Sequence, residues 1–327
     1  MTTIPDFSSE LSTEMKELMR RAERELGPQP DPTLLPPAEG RAQSERSNER
    51  NNVNLPSLAK ATDVIVAADA ELGSRACRMR VLVPHDAGVG AVLFVHGGGF
   101  AFCSPETHER CARVLANETR LPVLVPDYRL APEHPFPAGL HDVVACLRAA
   151  FAATAEVGVF AGPLLIAGDS AGANLALAAV MHEERVGYSL PSGMLLFYGT
   201  FGADFNTKSY GRFAEGSGLT RGKMRRYWNW YCADEDARRN PLAAPLQADD
   251  DVLRALPPLY LMAAGVDPLL SDTLLFAERL KAVDRNDPLT VVPGVIHGFL
   301  QNTNELAAAR EALVAAGEAA RGMIRGS

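Results

Sequence analysis

A chain of 327 residues, 47% apolar and 22% charged, is long enough to bury a core around a large sheet and has an ordinary globular composition. Its net charge of −8 argues against a nucleic-acid or anionic-membrane surface. Five scattered cysteines (Cys77, Cys103, Cys111, Cys146 and Cys232) without CxxC spacing argue against a disulfide framework and a zinc site.

At the N-terminus, Phe7, Leu11, Met15, Leu18, Ala22 and Leu26 recur at spacings of three and four and predict an amphipathic helix over 6–26, capped by Asp6. This stretch lacks the basic start and apolar run of a signal peptide, and no segment reaches the ~18 apolar residues of a membrane span, so a cytoplasmic protein is expected. Residues 27–60, rich in Pro, Gly, Arg and Asn, read as a flexible or loosely helical lead-in. From residue 62 short apolar runs follow one another at 62–67, 78–84, 91–97, 122–128, 163–168, 194–199, 258–265 and 289–294, giving eight candidate strands. Helical patterns stand near 107–119, 138–153, 171–184, 272–284 and 303–325. The first two strands read as an antiparallel ribbon; strands alternating with helices predict an α/β fold with a mostly parallel sheet. Several later strands lack polar alternation, as expected of strands covered on both faces. Residues 200–240 break the rhythm with Trp228, Trp230, Phe201, Phe205, Tyr210, Phe213, Tyr227 and Tyr231, and with a helix from about Thr220 to Tyr231. This insertion is a candidate lid, with an ordinary helix packed on the core as the alternative.

In a parallel α/β sheet, ligands bind beyond the carboxyl ends of the strands. "GDSAG" (168–172) follows the fifth candidate strand and opens a helix. A serine in such a strand-to-helix turn needs small neighbours two positions away, supplied by Gly168 and Gly172, and the helix N-terminus beyond it favours an oxyanion. "HGGGF" (96–100) follows the third strand, and its glycines let backbone N–H groups approach a ligand closely. His96 is expected to anchor this loop rather than act as a base. Asp267 stands at the end of strand 258–265 and His297 beyond strand 289–294, in the chain order Ser, Asp, His. Of the seven histidines, His297 alone lies downstream of Asp267. Asp272 is the rival acid and is expected instead to cap the following helix.

Taken together, "HGGGF", "DYRLAPEHPFPA" (127–138), "GDSAG", "DPL" (267–269) and "HGF" (297–299) resemble the hormone-sensitive-lipase-like esterases of the α/β-hydrolase superfamily, the branch with GDSAG at the elbow. The resemblance implies an α/β-hydrolase fold: an eight-stranded, mostly parallel sheet flanked by helices (61–199 and 241–327), with a helical cap built from 1–60 and 200–240. It implies Ser170 as nucleophile, His297 as base and Asp267 as its orienter, with oxyanion-hole amides from Gly98, Gly99 and Ala171. No metal or organic cofactor is called for. The aromatic residues Phe100, Phe102, Tyr128, Phe201, Phe205 and Phe213 are expected to line an apolar, partly closed pocket for short acyl groups, acetyl to butyryl. The implied partner is a small-molecule ester, without nucleic acid or membrane; an exposed last strand is compatible with a homodimer. The same machinery could serve an amide, carbamate or lactone. A non-catalytic small-molecule receptor on this fold is the remaining alternative, disfavoured because Ser170, Asp267 and His297 are all present.

Overall fold

The computed structural model describes residues 11–159, 162–216 and 218–325. Its strands are β1 (Lys60–Val66), β2 (Cys77–Val83), β3 (Ala91–Val95), β4 (Val123–Pro126), β5 (Leu164–Asp169), β6 (Gly193–Phe197), β7 (Leu259–Val266) and β8 (Leu289–Ile296). They form one sheet in the order β1-β2-β4-β3-β5-β6-β7-β8. β2 runs antiparallel to both its neighbours, and every other pairing is parallel. The eight strands expected from the sequence are all present, most of them ending a residue or more before the apolar run does. β3 stops at Val95, which frees the glycine run after it for the loop described below.

The N-terminal segment differs from its expectation. Helix α1 spans Thr13–Leu26, and its cap is Ser12, whose side chain accepts from Met15 N at 3.1 Å. The proposed cap Asp6, with Phe7, lies outside the described residues. The supposed lead-in contains a second helix, α2 (Pro37–Glu49). Its sequence, PAEGRAQSERSNE, offers no apolar stripe, so periodicity could not find it. The helix docks by other means. At Gly40 a Cβ would come within 2.8 Å of the Phe102 ring, so the missing side chain is the contact. Arg41 donates to the carbonyls of Ala101 and Ala131 at 2.8 Å each and pairs with Glu133. One cation thereby ties α2 to Ala101, the residue after "HGGGF", and to "DYRLAPEHPFPA".

Both faces of the sheet are covered, and the alternation of β3 shows how: Ala91, Leu93 and Val95 enter one core, Val92 and Phe94 the other. Helices α3 (Glu109–Thr119) and α10 (Ala307–Arg325) pack on the Phe94 face. Helices α4 (Ala138–Glu156) and α5 (Ala171–Val186) pack on the other. α4 is long and apolar enough to span a membrane by composition, but most of it is buried in the fold. Beyond β6 come α6 (Lys208–Arg212), α7 (Arg221–Tyr231), α8 (Asp250–Ala255) and α9 (Leu270–Ala282). α7 begins at Thr220, whose side chain accepts from Lys223 N at 3.1 Å, as the sequence places it.

One irregularity positions the site. β7 and β8 pair Ala264 with Val292, but Val266 with Ile296. Continued without a shift, the register would set Val266 opposite Gly294. The extra residues around Pro293 and Gly294 (φ 71°) form a bulge that draws the end of β8 forward. Gly294 O also accepts from Ser12 N at 2.9 Å, so the start of α1 rests on this bulge.

Candidate active site

Ser170 sits between β5 and α5 at φ 55°, ψ −121°, a conformation unfavourable to a non-glycine residue. Its amide donates to Phe197 O at 2.9 Å, which pins the turn to β6. The flanking glycines are sterically required. A Cβ at Gly172 would overlap the Val95 and His96 carbonyls at the end of β3, and one at Gly168 would overlap Gly172 itself. Gly172→Ala is therefore expected to destabilise the fold by about 1–3 kcal/mol, as overpacking of backbone against backbone does. Urea titration checks it, and an unchanged midpoint would contradict the crowding.

The bulged register brings the residues after β7 and β8 together. His297 Nδ1 lies 2.7 Å from Asp267 Oδ2, and His297 Nε2 lies 2.8 Å from Ser170 Oγ. Asp267 is fully buried, and its other oxygen accepts from Leu269 N at 2.9 Å. A carboxylate on Nδ1 makes that nitrogen the donor, which leaves Nε2 to accept from the Ser170 hydroxyl. The edge of the Tyr198 ring, 4.9 Å away centroid to centroid, closes one side of the imidazole.

The loop after β3 faces this chain. Gly98 (φ 119°) and Gly99 (φ 60°) line the same cavity as Ser170 and His297. At Gly98 a Cβ would overlap the Phe102 carbonyl, and at Gly99 the Tyr227 ring. Gly98 O accepts from Ala101 N and Phe102 N at 3.1 and 2.9 Å, a turn that leaves the N–H groups of Gly98 and Gly99 without an acceptor among the described residues. Ala171, first residue of α5, carries one of the unpaired N–H groups of a helix start. His96 is buried, stacks on Tyr128 at 4.4 Å and places Nδ1 2.8 Å from Gly97 O. Burial lowers its pKa to about 3, so it stays neutral. It anchors the loop, as expected.

Sequence reasoning missed a buried carboxylate beneath the loop. Asp169 Oδ1 accepts from Gly97 N at 2.8 Å and lies 3.2 Å from His108 Nε2. Burial alone would raise the Asp169 pKa, but His108, the Gly97 amide and His297 outweigh it and hold it below the usual carboxylate range. Strand alternation was the available signal: Leu165 and Ala167 enter the core shared with α3, so Asp169 points that way too, toward the histidine that precedes α3.

The six aromatic residues expected to line the pocket do not line the cavity. Its volume is about 230 Å³, and among the described residues its walls come from Asn48, Asn51, Gly98, Gly99, Cys103, His108, Asp169, Ser170, Thr200, Leu219, Met224, Tyr227, His297, Gly298, Gln301 and Asn302. Phe100, Phe102, Tyr128, Phe201, Phe205 and Phe213 are absent from that wall. Phe100 stacks on Tyr231 at 3.7 Å, and Phe102 meets Tyr227 and Trp230 edge-on. Phe201 packs on Phe276, Phe205 meets Tyr210, Phe213 lies under Arg212, and Tyr128 donates to His96 O at 2.8 Å. Aromatic side chains are worth most when their area is buried, and here Phe100 and Phe102 fasten α7 to the glycine loop and the residues just after it. Asp272 also departs from expectation. Instead of capping α9 it accepts from Phe201 N and Gly202 N at 3.0 Å each, holding the start of the 200–240 insertion.

Residues 92–301 match a family model described as alpha/beta hydrolase fold. An alpha/beta hydrolase enzyme from the metagenome of Lake Arreo, Spain, is similar to this chain at 30% identity and a TM-score of 0.87, over 98% of this chain and 99% of that one. A thermostable esterase from Pseudomonas putida aligns at 25% identity and a TM-score of 0.89, over 97% and 98%. The hyperthermophilic esterase of the archaeon Pyrobaculum calidifontis aligns at 30% identity and a TM-score of 0.86, over 96% and 99%. With strand order, elbow and glycine loop all in agreement, the chain belongs to the alpha/beta hydrolase fold family, in its hormone-sensitive-lipase-like branch.

Proposed function

We propose that this protein is a serine carboxylesterase acting on short-chain esters. The observation that carries the reading is the unbroken hydrogen-bonded chain Ser170–His297–Asp267, opening on a cavity that the glycine loop also lines. Esterases with TM-scores of 0.86 and above over nearly the whole chain support it.

The residues suggest each step. Ser170 Oγ attacks the ester carbonyl carbon while His297 Nε2 takes its proton. Asp267 holds the imidazole tautomer and stabilises the imidazolium. The tetrahedral oxyanion is received by the N–H groups of Gly98, Gly99 and Ala171, one such donor being worth about 3–4 kcal/mol. His297 then returns the proton to the departing alkoxide oxygen, the C–O bond breaks, and an acyl-serine remains. Water, deprotonated by His297, attacks it in turn, releasing the acid and restoring Ser170.

The first helices and the 200–240 insertion act as a cap on this reading, since both reach the cavity, through Asn48 and Asn51 and through Leu219, Met224 and Tyr227. A cavity of about 230 Å³ favours acetyl to butyryl groups over long chains. In a p-nitrophenyl ester series kcat/KM is expected to peak between two and four acyl carbons; a maximum at ten or more would refute the chain-length reading.

A further inference from the structure

The cavity has a polar wall that the chemistry above leaves unused. Gln301 borders it from the 3-10 turn Phe299–Asn302, four residues after His297, and Asn51 from the 3-10 turn Arg50–Asn52 that follows α2. Gln301 is 7% exposed, and among the described residues neither its Nε2 nor its Oε1 has a hydrogen-bond partner. Asn51 is 5% exposed; among the described residues its Oδ1 has no partner, and its Nδ2 has only a long 3.4 Å contact with Asn48 Oδ1. An unpaired buried amide destabilises the free protein, a cost that a ligand able to pair with it removes on binding. Two such side chains from separate elements on one small cavity mark a ligand subsite.

The wall also defines the ligand chemistry. An amide offers both donors and an acceptor, and a hydroxyl group answers both. Among the described residues the lining holds the carboxylate of Asp169 and no Lys or Arg, so an anionic group would meet repulsion without a counter-charge. We infer that this cavity selects short esters bearing a free, uncharged hydroxyl group, bound by the side-chain amides of Gln301 and Asn51. The inference rests on the esterase reading and names its substrate class.

Two matched pairs test it: methyl 3-hydroxybutyrate against methyl butyrate, with the hydroxyl on the acid side, and glyceryl monoacetate against propyl acetate, with it on the alcohol side. The full-length protein is expected to favour the hydroxylated member of at least one pair by about tenfold in kcat/KM, the scale of one well-made hydrogen bond. Gln301→Met and Asn51→Leu should each bring that ratio down to about two or less. Because the Gln301 amide has no partner to lose among the described residues, Gln301→Met is expected to unfold at or above the wild-type temperature, which separates lost selectivity from lost structure. Ratios within twofold in both pairs, or a preference that survives both substitutions, would overturn the inference. Turnover of p-nitrophenyl acetate, abolished by Ser170→Ala, reports on the esterase reading separately. If it is present while the pairs are not discriminated, the hydroxyl subsite alone fails; if no ester is turned over, both readings fail.

Discussion

Ser170→Ala is expected to lower kcat on p-nitrophenyl acetate by about five to six orders of magnitude, the loss that follows when the nucleophile of a serine–histidine–carboxylate unit is removed. Alanine keeps the Cβ and tolerates the turn no worse than serine does, so the φ 55° backbone and the Ser170 N to Phe197 O bond should persist. An unfolding transition close to wild type, measured by circular dichroism, would therefore accompany the lost rate. An organophosphonate adduct mapped by mass spectrometry should fall on Ser170 in the parent and vanish in the variant. Turnover within tenfold of the parent would remove the nucleophile assignment and with it the mechanism proposed above. The strain at Ser170 has company: Phe100, Cys103 and Tyr198 also adopt positive φ around this site. Such strain persists only where the surroundings over-determine the backbone, and here β6, the aromatic packing of α7 and the Asp169–Gly97 bond do so.

What could be read from the chain and what could not divides along physical lines. The strands announce themselves because each is a short apolar run, and the polar residues that end them (Ser170, Asp267, His297) stand out against that background. Helix α2, within a stretch that reads only as flexible or loosely helical, has no periodic signal to set its bounds, because its docking contacts are an absent side chain at Gly40 and a guanidinium at Arg41. The cavity wall was misread for a related reason. Aromatic residues near a site invite a pocket assignment, yet most of their area is spent on one another, and part of the wall beside Ser170 comes instead from Asn51, Gln301 and Asn302, amides on turns with no periodic signal. The bulge at Pro293–Gly294 is intermediate: "VVPGVIHG" shows a proline and a glycine interrupting a strand, but only the paired register reveals that they bring His297 level with Asp267.

That placement separates two carboxylates five positions apart. Asp267→Asn is expected to cost about four orders of magnitude in kcat, since an amide in place of the carboxylate no longer fixes Nδ1 as the donor or stabilises the imidazolium. Asp272→Asn should stay within about tenfold of the parent, because an amide oxygen can still accept from Phe201 N and Gly202 N. The reverse ranking would transfer the catalytic role to Asp272. Stability should rank the two differently. Burial, against the opposing pull of the two amides and reinforced by the charges of Asp267 and Asp204, raises the Asp272 pKa well above the usual carboxylate range. The folded chain thus keeps a proton that the unfolded chain releases above about pH 4. For a raised carboxyl pKa, folding stability falls as pH climbs from the unfolded value toward the folded one. Asparagine has no such proton to hold. The melting temperature of Asp272→Asn, relative to wild type, should therefore rise from pH 4 to pH 7, and a gap that stays constant or narrows would show that Asp272 carries its charge at no cost in the fold.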